Sequence, residues 1–297
     1  MNVIITGGAG FIGTNLIRAL LDKKGANILS IDNYTTGKKS NHQYGNVQYA
    51  TVTYIEGDVA TIDLEKVAVE HFKDETIDIV YHLAAIARIQ PSFKQPKEYF
   101  KTNATGTFNV AKFCSDNKIP LQYSGSSSHH SGKFKNPYTF SKDIGEEIVR
   151  MFIDLYSLQA SISRFYNVYG PYHLKEGGYC TLIGKWEKAY EENEDMIIYG
   201  TGEKRRDFTH VEDIVDALIL IQEKKAYSHI FELGYGKNYS INEIREMFKY
   251  IKYRYEDDKP GEAHTTLCKD TLAADLLGWS PNRTIQDYIE NFIAIKT

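Results

Sequence analysis

The chain has 297 residues, 42% of them apolar, and mixed charge, which is the composition of a globular protein with one large or two modest domains. A net charge of −4 gives no general reason to bind nucleic acid or an anionic membrane, so an anionic small ligand would need locally placed Arg or Lys. Cys114, Cys180 and Cys268 are widely spaced without a CxxC pair, which predicts reduced thiols in a cytoplasmic protein and no metal site.

Short apolar runs alternate with amphipathic stretches through the first 170 residues. Strands are predicted at 3–6, 26–32, 52–58, 77–85, 119–125 and 160–170, with helices from residue 11 to 21 and at 61–73, 99–117 and 138–158. No apolar run is long enough to span a membrane, and the first strand begins too early for a signal peptide. This alternation predicts an α/β fold, a doubly wound parallel sheet with helices on both faces.

The pattern loosens after Gly170-Pro171. Helices are predicted at 181–192, 211–224, 241–251 and 284–295, and short strands at 196–200 and 229–234. Thr209 with Glu212 and Ser240 with Glu243 are spaced as capping boxes. We expect a dinucleotide-binding domain over 1–170 and a smaller α/β substrate lobe over 171–297, with some chain crossing between them and the site in the cleft.

Glycines follow the first strand in "TGGAGFIG", at Gly7, Gly10 and Gly13. A tight turn, a bare backbone beside a pyrophosphate and free N–H groups at a helix start all require glycine there. Asp32 ends the second strand, where a carboxylate accepts hydrogen bonds from a ribose and repels a 2′-phosphate. A glycine turn can be merely structural, but with Asp32 it predicts a Rossmann-type NAD site.

Tyr138 and Lys142 lie one turn apart at the start of a predicted helix, which Asn136 can cap and Pro137 can begin. A free tyrosine titrates near about 10, whereas a nearby ammonium and the positive ring of an oxidised nicotinamide both favour its phenolate. Such a tyrosine can take a proton from a sugar hydroxyl while a hydride leaves the same carbon. A serine after the fifth strand can hydrogen-bond the same oxygen, so this set predicts coupled base and hydride chemistry.

These motifs resemble the extended short-chain dehydrogenase/reductase family, specifically its NAD-dependent nucleotide-sugar epimerase/dehydratase branch, which includes UDP-glucose 4-epimerases. The similarity runs along nearly the whole chain, through "TGGAGFIGTNL", "IDNYTTGK", "HLAA", "TNATGTFNV", "YTFSK", "SRFYNVYGP", "YGTGEKRRDFTHVED" and "LGWSP". It implies a cytoplasmic enzyme of carbohydrate metabolism that uses NAD and a nucleotide-diphosphate sugar.

The resemblance also implies roles for individual residues. Cofactor binding falls on Gly7, Gly10, Phe11, Ile12 and Gly13 for the pyrophosphate, Asp32, Asn33, Thr36 and Gly37 for the ribose, Asp58 and Val59 for adenine, and Leu83, Ala84, Ala85, Asn103, Tyr138, Lys142 and Phe165 for the nicotinamide half. The catalytic group is Ser127, Tyr138 and Lys142, where Ser127 is reached by counting back from Gly132 and Ser126 is its nearest competitor. Substrate binding falls on Arg88, Ser127, Asn167, Tyr199, Arg206 and Lys259. Arg88 either reads a carboxylate or phosphate on the substrate or pairs with a neighbouring acid.

The chain departs from the family pattern after the catalytic serine. Dehydratases carry an Asp-Glu pair there, whereas this chain has Ser128, His129 and His130. The missing acid favours 4-epimerisation, although either histidine could supply a proton if it does not simply face solvent. Only eleven positions separate Ser127 from Tyr138, fewer than in the family, which opens the sugar pocket to an unusual or larger substrate.

The leading hypothesis is therefore an NAD-dependent nucleotide-sugar 4-epimerase that oxidises C4 transiently and returns the hydride. The alternatives are a 4,6-dehydratase or another NAD-dependent sugar oxidoreductase, and a non-catalytic NAD-binding sensor. Relatives pair through the helices predicted at 99–117 and 138–158, which implies a homodimer with a four-helix interface. The apolar residues that serve either this interface or the core are Phe108, Phe113, Met151, Phe152 and Leu155.

Overall fold

The structure is a computed structural model that describes residues 1–42 and 51–296. Its strands are β1 (Asn2–Thr6), β2 (Asn27–Asp32), β3 (Val52–Glu56), β4 (Ile79–His82), β5 (Leu121–Ser126), β6 (Ala160–Phe165), β7 (Met196–Tyr199), β8 (Arg205–Asp207), β9 (Ile230–Leu233), β10 (Asn238–Ser240) and β11 (Tyr253–Glu256). Its α-helices are α1 (Phe11–Lys24), α2 (Leu64–Phe72), α3 (Ile89–Lys94), α4 (Pro96–Phe100), α5 (Thr107–Asp116), α6 (Pro137–Tyr156), α7 (Leu182–Glu191), α8 (Val211–Glu223), α9 (Ile241–Met247), α10 (Leu272–Leu277) and α11 (Ile285–Lys296). None of the helices in these two ranges has the length and apolar character needed to cross a bilayer.

Seven strands of the described chain form one parallel sheet in the order β3-β2-β1-β4-β5-β6-β9. Both faces are covered: Val3 and Ile5 of β1 pack with α1 and α8, while Ile4 packs on the opposite face with α5 and α6. Strands buried on both sides are continuously apolar, which is why the sequence predicted them. The predicted doubly wound sheet is confirmed. The strand order reverses between β1 and β4, where such sheets bind their ligands.

The C-terminal part of the chain contributes to two cores. The strand expected at 229–234 joins the large sheet as β9, beside β6, and α8 packs on α1. A separate apolar cluster, which includes Trp186, Phe248 and Ile289, lies beneath α7, α9 and α11. The boundary at residue 170 stays a prediction, and the chain beyond it returns to the large sheet before it completes the second cluster.

Two local predictions about this region have different outcomes. The capping box at Ser240 and Glu243 is confirmed. The box at Thr209 and Glu212 is wrong, because α8 begins one residue later with His210 as its N-cap, and the His210 ring accepts the Glu212 N–H at 3.2 Å. The sixth strand also ends earlier than predicted, at Phe165.

The α4–α5 region runs as one helical stretch through a π-helical turn at Lys101–Gly106 and packs against α6. Phe113 and Phe152 are buried in the core of this layer. Phe108 and Leu155 are instead 41% and 72% exposed. Of the apolar residues expected to serve either core or interface, some therefore lie in the core and others are exposed to solvent.

Candidate active site

A cleft of about 520 Å³ lies at the carboxyl ends of the central strands. Residues from the ends of β1, β2, β4, β5 and β6 line it, together with residues from the second half of the chain. The predicted site residues found in its lining are Gly7, Gly10, Phe11, Ile12, Gly13, Asp32, Asn33, Thr36, Val59, Leu83, Ala84, Ala85, Arg88, Ser127, Tyr138, Lys142, Phe165, Asn167, Tyr199, Arg206 and Lys259. Gly37, Asp58 and Asn103 lie outside this lining. The structure thus brings both predicted ends of the site into one cavity.

The glycine turn between β1 and α1 leaves room for a phosphate. Gly7 has a φ of +76°, and a Cβ there would lie 2.7 Å from the Ala84 nitrogen. A Cβ on Gly13 would lie 2.2 Å from the Gly7 carbonyl oxygen, so neither position admits a side chain. Helix α1 follows Gly10 without any side-chain cap. Its first N–H groups are therefore available to a pyrophosphate, and the turn fits a dinucleotide.

Asp32 ends β2 beside this turn. One carboxylate oxygen accepts the Ala9 N–H at 3.0 Å and the other accepts the Tyr34 N–H at 2.8 Å. Burial raises the pKa of Asp32, and these backbone donors oppose the rise. The carboxylate is fixed at the position where a ribose is expected. Gly37 leaves room for this carboxylate, because a Cβ at position 37 would lie only 2.9 Å from each Asp32 carboxylate oxygen.

Asn103 and Asp58 hold the frame of the cleft. The Asn103 amide accepts the Ile86 N–H at 2.8 Å, and it donates to the Ile86 carbonyl at 3.0 Å and to Ser141 at 3.0 Å. Asp58 pairs with Lys101 at 2.7 Å. Their direct contact with a cofactor stays a prediction. The hydrogen bonds of Asn103 instead position the chain that follows β4.

Tyr138 lies in the first turn of α6, where Asn136 caps the helix by accepting the Thr139 N–H at 2.8 Å. Its hydroxyl donates to Ser126 Oγ at 3.1 Å. Ser127, which the sequence favoured for this contact, lines the same cleft, but the contacting hydroxyl belongs to Ser126. The reason is that β5 extends one residue further than predicted and ends at Ser126, so the 3₁₀-helix that follows starts at Ser127.

Lys142 is buried one turn further along α6, with its Nζ 4.3 Å from the centre of the Tyr123 ring. Burial lowers its pKa to about 7. Burial also raises the pKa of Tyr138, against which the Ser126 hydrogen bond and the Arg88 guanidinium act. The positive charge of Arg88 thus favours the phenolate, which the sequence did not indicate, and the role of Lys142 beside Tyr138 stays a prediction. Among the described residues, Lys142 Nζ makes no hydrogen bond or ion pair.

The segment after β4 contains contacts that the sequence did not reveal. Tyr99 Oη lies 2.8 Å from the carbonyl oxygens of both Ala87 and Arg88, which share its single hydroxyl proton. Arg88 Nε donates to the Tyr179 carbonyl at 3.1 Å. Cys180 also lines the cleft. No local pattern marks Tyr99, Tyr179 or Cys180, since they reach the site from separate parts of the chain.

Arg206 lies at the part of the cleft built by the second half of the chain. Its guanidinium donates to the Arg205 carbonyl at 2.9 Å and pairs with Glu262 at 3.4 Å. Lys259 Nζ lies 3.3 Å from the centre of the Tyr199 ring. The sequence did not indicate Glu262, although it lies only three residues after Lys259. Two cations and an aromatic ring thus face the space where a diphosphate is expected.

Three predicted side chains bond to other residues of this chain: those of Asn167, His129 and His130. The Asn167 amide donates to the Asp207 carbonyl at 2.9 Å and to Thr266 at 3.1 Å. His129 pairs with Asp143 at 2.9 Å and His130 with Glu232 at 2.8 Å. Neither histidine lines the cleft. Both pair with carboxylates outside it.

A doubly wound sheet, a glycine turn with its acidic partner and a Tyr-Lys helix in the same cleft define an NAD-binding enzyme of the short-chain dehydrogenase type. The chain belongs to the NAD dependent epimerase/dehydratase family, whose model matches residues 3–234. NAD is its cofactor, and several of its relatives bear the names of nucleotide-sugar enzymes.

Three relatives illustrate the similarity. A putative UDP-glucose 4-epimerase of Methanocaldococcus jannaschii is 28% identical over 98% of this chain and 97% of its own length. A UDP-N-acetylglucosamine 4-epimerase of Methanobrevibacter ruminantium, solved with UDP-N-acetylmuramic acid, is 28% identical with a TM-score of 0.86, covering 99% and 98% of the two chains. A UDP-glucuronic acid 4-epimerase of Bacillus cereus, solved with UDP-glucuronic acid and NAD, is 25% identical with a TM-score of 0.88 over both whole chains.

Proposed function

We propose that the chain is a nucleotide-sugar 4-epimerase. The observation that carries this proposal is the Tyr138–Ser126 hydroxyl pair, which lies in the NAD cleft with no carboxylate of the described lining residues hydrogen-bonded to it. NAD, when bound, supplies the acceptor that takes a hydride from C4 of the sugar and gives it back. Three relatives carry names of 4-epimerases, which agrees with this assignment.

Tyr138 is the base in this proposal. It removes the proton from the C4 hydroxyl as the carbon is oxidised, and it returns the proton when the keto-sugar is reduced on its other face. The hydrogen bond from Tyr138 to Ser126 and the positive charge of Arg88 both stabilise the phenolate. Ser126 and Ser127 together offer hydroxyls to the sugar oxygen. Lys142, buried beside them, is available to the cofactor ribose.

Arg206 and Lys259 hold the nucleotide diphosphate in this scheme. A guanidinium binds two phosphate oxygens at once, and an ammonium adds charge without that geometry. The Lys259 ammonium lies over the ring of Tyr199. On the cofactor side Asp32 selects NAD through the ribose hydroxyls. With the diphosphate held, the keto-sugar can turn its other face to the cofactor before the hydride returns, as an epimerase requires.

The dehydratase alternative needs an acid that expels the C6 hydroxyl. Asp32 and Glu262 are the carboxylates among the described lining residues, and Asp32 lies in the glycine-turn region while Glu262 pairs with Arg206. His129 and His130 pair outside the cleft. Elimination therefore has no evident proton donor beside Tyr138, which favours the epimerase over the dehydratase.

We also propose a cytoplasmic homodimer that pairs through α5 and α6. Phe108 on α5 and Leu155 and Tyr156 on α6 are exposed apolar residues on two helices that pack against each other. Burying them against a second copy would remove apolar surface from water. The three cysteines are unpaired and buried, in agreement with a reducing compartment.

The experiment that tests the proposed activity uses purified protein with NAD and pairs of C4-epimeric UDP-, dTDP- and GDP-sugars. Proton NMR distinguishes the epimers through the coupling constants at C4. We expect the same equilibrium mixture from either member of one pair, without net NADH. A 4-keto-6-deoxy product, or no conversion of any pair, would contradict the proposal.

A further inference from the structure

Arg88 adopts a backbone conformation that non-glycine residues rarely occupy. Its φ is 86° and its ψ is 137°. Such a conformation persists only where the surroundings enforce it. Here they do: the Tyr99 hydroxyl contacts the carbonyls of Ala87 and Arg88, and Asn103 holds Ile86 through two hydrogen bonds. Three successive residues are thus fixed, and together they hold the Arg88 side chain at the cleft.

The Arg88 guanidinium carries a charge that the protein does not neutralise. Its Nε donates to the Tyr179 carbonyl, and within residues 1–42 and 51–296 no carboxylate forms an ion pair with it. Glu262 acts on Arg88 only from a distance and is itself bonded to Arg206. Arg88 is half-buried in the wall of the cleft, where a cation without an anion is partly desolvated, so an anionic ligand at this position would gain binding energy.

The position of Arg88 indicates which part of the ligand carries that anion. Both residues line the cleft, and Tyr99, whose hydroxyl contacts the Arg88 carbonyl, packs its ring 6.2 Å from the ring of Tyr138. The charge of Arg88 also opposes the rise that burial causes in the pKa of Tyr138, and in the proposed function Tyr138 must reach the C4 hydroxyl. Arg206 and Lys259 are already the cations for the diphosphate. The group that meets Arg88 therefore belongs to the sugar ring, next to the reacting carbon.

We propose that Arg88 binds a carboxylate carried by the sugar, so that the protein prefers acidic nucleotide sugars to their neutral counterparts. The inference rests on the proposed function for its placement of the sugar ring. The carboxylate is either C6 of a uronic acid or an acidic ether on the neighbouring C3. A planar guanidinium suits both, because it binds a carboxylate through two parallel hydrogen bonds.

The test compares two matched pairs of ligands with the NAD-loaded protein. UDP-glucuronic acid against UDP-glucose probes a C6 carboxylate, and UDP-N-acetylmuramic acid against UDP-N-acetylglucosamine probes an acidic ether at C3. We expect wild-type protein to prefer the acidic member of one pair by about 10- to 100-fold, in kcat/KM or in Kd by calorimetry. Arg88→Gln should bring that ratio close to one, and Arg88→Lys should retain part of it.

Two controls separate this role from others. Arg206→Gln should weaken both members of a pair by similar factors, because both carry the diphosphate. Arg88→Gly should also abolish the preference, while its melting temperature stays at or above that of wild type because glycine adopts the φ of this position without strain. Loss of the preference in Arg88→Gly thus cannot be ascribed to unfolding.

The outcomes distinguish this proposal from the proposed function. A preference for carboxylate-bearing sugars in binding, without epimerisation, would support Arg88 as the residue that binds the carboxylate. The same result would contradict the proposed 4-epimerase activity. Epimerisation with no acidic preference in either pair, or with the same ratio in wild type and Arg88→Gln, would overturn the role of Arg88 and leave the epimerase standing. Failure of wild-type protein to bind the acidic sugars would also overturn it.

Discussion

Tyr138 and Ser126 share a hydrogen bond of 3.1 Å, although they lie at the start of one helix and the end of the strand before it. The segment that separates them is short because the 3₁₀-helix Ser127–Ser131 and one further turn suffice to connect β5 to α6. The bond joins the expected base to a hydroxyl that can stabilise its phenolate. The proposed mechanism assigns the chemistry at C4 to this pair.

Removal of the Ser126 hydroxyl is expected to impair turnover more than removal of that of Ser127. Tyr138→Phe should lower kcat by about 10²- to 10⁴-fold, since it removes the base. Ser126→Ala should lower kcat by about 10- to 100-fold and shift the ascending, acidic limb of the pH–rate profile to higher pH, because the phenolate loses a hydrogen bond and the pKa of Tyr138 rises. Steady-state kinetics at several pH values provide the measurement.

Ser127→Ala is the matched control for Ser126→Ala. It removes the same group from the neighbouring residue, and it should leave the pH profile in place. A larger loss in Ser127→Ala than in Ser126→Ala would return the role to the residue that the sequence favoured.

Substitution of Gly13 is expected to weaken NAD binding. A Cβ there meets the Gly7 carbonyl oxygen at 2.2 Å, so the turn must move, whereas a Cβ on Gly10 lies 3.2 Å from the same atom. Gly13→Ala should reduce the NAD affinity by more than about 10-fold and destabilise the fold by about 1–3 kcal/mol. Gly10→Ala should show smaller effects. Calorimetric titration with NAD and urea unfolding measure both, and equal effects in the two variants would contradict this account of the turn.

His82 makes the free energy of unfolding depend on pH. Its two ring nitrogens lie 2.7 Å from Thr6 Oγ1 and 3.0 Å from Thr107 Oγ1, and burial together with Lys142 lowers its pKa to about 3. In the unfolded chain the pKa of His82 is about 6.5, so between that pH and about 3 only the unfolded state takes up the proton. The stability due to the neutral ring is full above pH 6.5 and falls progressively towards pH 3.

The measurement is urea unfolding of wild type and His82→Gln at pH 7 and pH 4, with NAD saturating. Between these values wild type should lose about 3 kcal/mol more than the variant, which has no titrating ring. Other acidic groups act equally in both proteins and cancel in the comparison. Identical losses would show that the ring is protonated in the fold.

The proposed dimer predicts that charge on its helices separates the subunits. Leu155 is 72% exposed on α6, and Leu155→Glu should raise the dimer dissociation constant by about 100-fold or more. Ile251→Glu is the control, since Ile251 is 88% exposed and lies outside α5 and α6. Light scattering over a range of concentrations decides it, and a monomeric wild type would refute the interface.

The sequence predicted those parts of the site that depend on neighbouring residues. Gly7, Gly13 and Asp32 belong to one strand-helix-strand unit, and Tyr138 and Lys142 to one helical turn, so spacing alone indicated their roles. It did not separate Ser126 from Ser127, because the end of β5 is set by pairing with β6.

Local sequence patterns could not predict contacts between segments that are distant in the chain. The effect of Arg88 on Tyr138 and the hold of Asn103 on Ile86 depend on how α3, α4 and α6 pack. In the same way, Ile230–Leu233 could be predicted as a strand but not as the edge of the large sheet, since its partner lies on β6, far away in sequence.

The most direct test of the central claim follows deuterium placed at C4 of the nucleotide sugar that turns over. If Tyr138 serves a reversible oxidation at C4 and no elimination occurs, NMR and mass spectrometry should find the deuterium still on C4 of both epimers, with no reduced cofactor accumulating. Deuterium transferred to C6 of a 4-keto-6-deoxy product, or lost into accumulated NADH, would contradict the account.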